Sequence, residues 1–121
     1  MERAGNPNYY QRLERMADLH HSKNLDYCGP DGWYQGMDNF VQAAAYAGCS
    51  VRTVFRVMQG IKLARRRALE SSQLAANHES LADTALDLAN YQVLESAFAD
   101  TYDWIDVPLQ QMAVRPNLEP V

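Results

Sequence analysis

The chain divides into helix-length stretches separated by residues that stop helices, and it contains no convincing strand. The first stretch, about residues 7–24, opens with Asn6 as a cap and Pro7 at the first helical position, where a missing N–H is harmless. The loop "CGPDGWYQG" follows, with Gly and Pro punctuation that no helix tolerates. A second helix, about 37–47, stops at Gly48, a common residue just past a helix end. Ser50 caps a third, about 51–73. The fourth begins near Ser80, whose S-x-x-D spacing to Asp83 resembles a capping box, and runs to about Phe98. The segment "TYDWIDVPLQQM" can add a turn of helix, and "RPNLEPV" reads as an extended tail. The fold expected is all-α: a small four-helix bundle in one domain over residues 1–106, with 107–121 as a C-terminal tail.

Composition narrows the functions such a bundle can serve. A chain of 121 residues makes one domain with a real core, at a size often helped by self-association. Hydrophobic residues at 47% and charged residues at 21% are ordinary for a soluble globular protein. A net charge of −4 argues against a nucleic-acid partner. No apolar run approaches the roughly 18 residues needed to span a bilayer, and "MERAGNPNYY" lacks the apolar stretch of a signal peptide. A cytoplasmic protein with no membrane partner is the expectation. Cys28 and Cys49, without a C-x-x-C spacing or nearby histidine partners, read as two reduced thiols.

Several polar side chains fall on the wrong faces for a simple bundle. At roughly 100° per residue, Phe55, Met58 and Leu69 share a stripe of the third helix that Val54 and Ile61 widen. Lys62 lies within that stripe and Arg65 beside it, while Arg52, Arg56 and Arg67 face solvent. A cation on the core side either snorkels to the surface or meets an anion, since desolvating it alone is costly. On the fourth helix Asp83, Asp87 and Asn90 share one strip, with Gln92 and Glu95 on the exposed face. Two carboxylates one turn apart repel unless a cation lies between them, and this is an ordinary way for a helix to offer oxygen ligands to Mg²⁺. Equally, Asp83 can be the partner of the Ser80 cap and Asp87 the partner of Lys62 or Arg65. On the first helix Leu13, Met16 and Ala17 form a buried stripe that His20 and Asn24 continue, while Glu14, Arg15 and Asp18 look outward. Lys23, Asn24 and Asp26 crowd that helix's end, and Asn39 on the second helix shares a side with Ala43 and Tyr46. Polar groups sent inward from all four helices point to a shared polar site.

"HHSKNLDY", "DNF", "VMQGIKLARR" and "ESLADTALDLANY" follow one another in an order and spacing that resembles the small MazG-like, all-α nucleoside triphosphate pyrophosphohydrolases. More closely, it is similar to the short phage and bacterial domains labelled nucleotide-modification-associated or dATP/dGTP pyrophosphohydrolase. The resemblance runs from about residue 9 to 98, and its most specific part is D-T-x-x-D-L-A-x-Y, present as Asp83, Thr84, Asp87, Leu88, Ala89 and Tyr91. It implies a homodimer or homotetramer that binds Mg²⁺, or Mn²⁺ in its place, through helix-borne acids. The substrate implied is a (d)NTP, cleaved between its α and β phosphates to the monophosphate and pyrophosphate. By motif, Asp83 and Asp87 would be metal ligands, with Glu79 a third. Lys62 and Arg65 would neutralise phosphate charge. His20, Lys23, Asn24, Asp26 and Asn39 would line the nucleotide pocket, the last four alternatively holding water around the metal site, and Tyr91 would pack on a base or belong to the core.

The chain also departs from that family. The early E-E-x-x-E motif is missing, and the acid pair is D-x-x-x-D rather than E-x-x-D. The Tyr-Gly that ends the lysine motif appears as Tyr27-Cys28-Gly29. Fewer acids imply one metal ion in place of two or three, or ligands drawn from Asp26 and a partner subunit. The alternative is a non-catalytic nucleotide-binding or protein-interaction module whose buried charges pair with one another.

Overall fold

The helix boundaries form where local chemistry demands them. In the computed structural model, which describes residues 3–28, 37–71 and 80–109, four helices follow in order: α1 (Pro7–Cys28), α2 (Asp38–Ala47), α3 (Val51–Ser71) and α4 (Leu81–Thr101). Asn6 caps α1 by accepting the Asn8 N–H on its Oδ1 at 2.8 Å. Gly48 closes α2 in the left-handed region, φ 75°, donating its N–H to the Ala44 carbonyl at 2.9 Å; a side chain there would be strained. Ser50 Oγ accepts the Thr53 N–H at 3.2 Å, and Ser80 Oγ accepts the Asp83 N–H at 3.1 Å. Each cap satisfies backbone donors that a helix start otherwise leaves open. The loop at 29–36, residues 72–79 with Glu79 among them, and the tail from 110 onward lie outside the described residues.

The core forms where α3 and α4 pack against each other. Phe55 on α3 and Phe98 on α4 are fully buried, their ring centroids 6.2 Å apart. The helices run antiparallel, since Lys62 reaches Asp87 while Arg52, ten residues earlier, reaches Glu95. Met37, Val41 and Ala44 bury the inner side of α2 against them, with Phe40 stacked 4.6 Å from Phe55. The buried Thr84 is satisfied locally, its hydroxyl donating to the Ser80 carbonyl at 3.0 Å. α1 is held more lightly: Met16, His20 and Asn24 are half-buried, but Leu13, expected inside, is 38% exposed and Ala17 is exposed too. Ile61, expected to widen the α3 stripe, is 56% exposed.

The segment after α4 holds the core's far edge. It forms turns over 103–106 instead of a further helix, and Tyr102, Trp104 and Ile105 are all buried. The Trp104 ring stands edge-on to Phe98 at 5.3 Å, a favoured aromatic geometry. Arg52 fixes this segment. Its N–H donates to the Ile105 carbonyl at 3.1 Å, and its guanidinium bonds Asp106 and, at 2.6 Å, Glu95. Glu95 also accepts from Gln59 Nε2 at 2.7 Å. Both Arg52 and Glu95, expected on solvent faces, are therefore half-buried partners. Leu109 N–H donates to the Cys49 carbonyl at 3.3 Å, so the chain remains attached past residue 107. Trp104→Ala should cost about 3–5 kcal/mol, read as a lower denaturant midpoint; a loss below about 1 kcal/mol would show that this segment is not part of the core.

Candidate functional site

All four helices meet around one cavity of about 250 Å³. From α1 it takes His20, Lys23 and Asn24; from α2, Asn39, Phe40 and Ala43; from α3, Val54 and Met58; from α4, Asn90, Tyr91 and Leu94. Helical spacing explains the first set, since residues four apart share a face and His20 and Asn24 continue the line of Met16. Five residues expected to line a nucleotide pocket (His20, Lys23, Asn24, Asn39 and Tyr91) are brought together here. Tyr91 also stands edge-on to Phe40, centroids 6.4 Å apart, so it serves core and cavity at once. Asp26 is exposed and does not line the cavity. Asn90 was legible only as a member of the acidic strip on α4.

The wall's electrostatics suit a neutral or anionic guest. Lys23 and His20 contribute the ionisable groups, and among the described residues no carboxylate lines the cavity. Asn24 Oδ1 is sealed from solvent and has no hydrogen-bond partner among the described residues. A buried acceptor left in that state costs about 1–3 kcal/mol.

The acids of α4 lie beside the cavity. Asp87, one turn before Asn90 and Tyr91, accepts from Lys62 Nζ at 2.9 Å, with both side chains half-buried. Lys62 in turn lies one turn beyond Met58. Its stem follows the core stripe, as its position on the helix requires, and its charge meets a carboxylate. Arg65 is half-buried on the same side of α3. Asp83 is further toward the start of α4: its Oδ2 accepts from the Ser80 hydroxyl at 3.0 Å, and Oδ1 lies 3.5 Å from Arg15. The Ser80 hydroxyl holds the Asp83 carboxyl below the ordinary aspartate range. Partial burial opposes that shift, while the Ser80 backbone and the charges of Arg15 and Arg12 add to it.

Among the described residues no three His, Cys, Asp or Glu side chains gather as a metal cluster, and Glu79 is not among them. What Asp83 and Asp87 offer is two hard-oxygen donors on one strip. That set fits Mg²⁺ in its usual protein setting, where one or two carboxylates hold it and phosphate and water complete the shell. It does not fit a cation that needs an all-protein cage.

Two measurements test these contacts. In a double-mutant cycle, Lys62→Met and Asp87→Asn should show a coupling of about 1–2 kcal/mol in unfolding free energy; additive effects would mean the pair contributes nothing. Asp83 supplies the pH dependence. Its folded pKa is depressed, so its contribution is fully present above the unfolded value of about 3.9 and fades as pH falls through the lower folded value. The stability gap between wild type and Ser80→Ala should therefore be widest near neutrality and narrow below about pH 4. A gap constant from pH 7 to 2 would contradict the Ser80–Asp83 bond. Comparison with protein-family models, with curated proteins and with solved structures finds no match to this chain.

Proposed function

We propose that this chain is a Mg²⁺-dependent nucleoside triphosphate pyrophosphohydrolase that converts a (d)NTP to the (d)NMP and pyrophosphate and so adjusts a cytoplasmic nucleotide pool. The observation that carries the reading is the cavity where the four helices meet, lined by His20, Lys23, Asn24, Asn39 and Tyr91, with the Lys62–Asp87 pair one turn away along α3 and α4. Residues drawn from four separate motifs of the sequence thus face one space of ligand size.

In this reading the cavity orients the nucleoside, and Lys62, with Arg65 nearby, sets positive charge against the phosphates, where fixed cations stabilise the transferring group. Asp83 and Asp87 would hold Mg²⁺, which when bound activates water and shields phosphate charge. Lys62 then serves two anions, Asp87 and a phosphate, and holds Asp87 in position until substrate arrives. The assembly proposed is a homodimer or homotetramer, consistent with Val57 and Ile61 on α3 and Val93 on α4, each more than half exposed at 54%, 56% and 56%. No helix among the described residues is long and apolar enough to cross a membrane.

A second reading has its own support. Each acid already has a cation, Asp87 through Lys62 and Asp83 through Arg15, as in a module that binds nucleotides without hydrolysing them. Incubation with each dNTP and Mg²⁺, followed by assay of pyrophosphate, separates the two. The expected result is pyrophosphate release by the wild type and none by Asp87→Asn that keeps its helical circular dichroism. Binding without release in the wild type would favour the second reading; an Asp87→Asn variant that still turns over would remove Asp87 from the site.

A further inference from the structure

The cavity wall contains an acceptor that no described residue satisfies. Asn24 lines the cavity, and its Oδ1 is shut away from water without a hydrogen-bond partner among the described residues. Folding normally leaves such an atom paired, and the exceptions call for an explanation. The surroundings restrict what can pair with it. The carboxamides of Asn39 and Asn90 belong to the same wall, flat rings are supplied by Phe40 and Tyr91, and no carboxylate intrudes among the described residues.

Volume restricts the guest further. At about 250 Å³ the cavity falls below the roughly 300–1,000 Å³ typical of sites for drug-sized ligands. It suits a planar heterocycle with part of its sugar, and a triphosphate has to lie outside, on the side of Lys62. Resting on the nucleotide reading above, we infer that the cavity is the nucleobase subsite and that Asn24 Oδ1 selects bases bearing an exocyclic amino group. An amino group brings two N–H donors, as on adenine N6 or cytosine N4, and both need acceptors once they leave water. One is met by Asn24 Oδ1, the other by a neighbouring carboxamide oxygen. A keto oxygen in the same place would face the Asn24 oxygen, acceptor against acceptor, and is rejected.

Calorimetric titration without metal tests this directly, using 2′-deoxyadenosine and its analogue lacking the amino group, purine 2′-deoxyriboside. The wild type should bind the amino-free ring about tenfold more weakly, the loss expected when one buried hydrogen bond goes unmade. Asn24→Leu, with the same branching but bulkier methyl groups and no acceptor, should bind the two rings equally and melt at a higher temperature without ligand. Asn24→Asp retains acceptor oxygens and should retain the preference, so the inference stays testable if the leucine variant does not fold. Equal affinity for both rings in the wild type, or a preference surviving in Asn24→Leu, overturns it. Pyrophosphate release from dNTPs with no nucleoside binding overturns this subsite alone. Neither release nor binding overturns the nucleotide reading as well.

Discussion

Lys62 and Arg52 project from α3 toward α4 ten residues apart, and each meets a carboxylate there, Asp87 and Glu95. These half-buried pairs fix how the two helices lie along one another. Their net contribution to stability is modest, because desolvation offsets much of the attraction. Their larger effect is on the alternatives. Sliding α4 by one turn could bring Asp83 to Lys62, but would set Arg52 against Tyr91; sliding it the other way would leave Lys62 facing Asn90 or Tyr91. Phe55 and Phe98 lie between helices whose register is thereby settled, and they supply the apolar burial that charge cannot.

The cavity depends on that register. Val54 and Met58 fall between the two ion pairs on α3, and Asn90, Tyr91 and Leu94 fall between them on α4. α2 closes one side through Phe40, which contacts both Phe55 and Tyr91. α1 then lies across the opening in the same direction as α4, with Arg15 at Asp83 and His20 and Asn24 beside Asn90 and Tyr91. Because α1 buries little apolar surface of its own, the polar groups it brings to the cavity are carried on the most lightly held wall.

What the sequence made legible is local. Caps at Asn6, Ser50 and Ser80 and the stop at Gly48 act through neighbours a few residues away, so reading them required no tertiary information. Lys62 on the core side of α3 followed from helical period alone. Glu95 did not, because its position at the edge of a helical face becomes an interior one only when Arg52 and Gln59 arrive from another helix. Tyr102, Trp104 and Ile105 were missed as core since a short turn-rich segment has no period to reveal which side is buried. Spacing also left the partners of Asp83 and Asp87 open. Ser80 and Arg15 engage the first and Lys62 the second, and two of those three contacts come from distant parts of the chain. The cavity lining was anticipated as a set of inward polar residues, whereas its shape and the orphaned oxygen of Asn24 depend on four helices at once.

The strap formed by residues 102–109 has a consequence for how the molecule comes into being. It closes against residues 49–52, and its aromatic rings complete a core begun at Val51 and Phe55. A chain emerging from the ribosome can form α1, α2 and α3 by local rules, yet Phe55 lacks Phe98, and Phe98 lacks Tyr102 and Trp104, until α4 and the strap are made. Vectorial synthesis at about 5–20 residues per second therefore leaves the α4 side of Phe55 open for seconds, with only Phe40 of α2 already made. In that interval, protection against sticking to other chains falls to the charged groups of α3, Arg52 and Lys62 among them, which have not yet met Glu95 and Asp87.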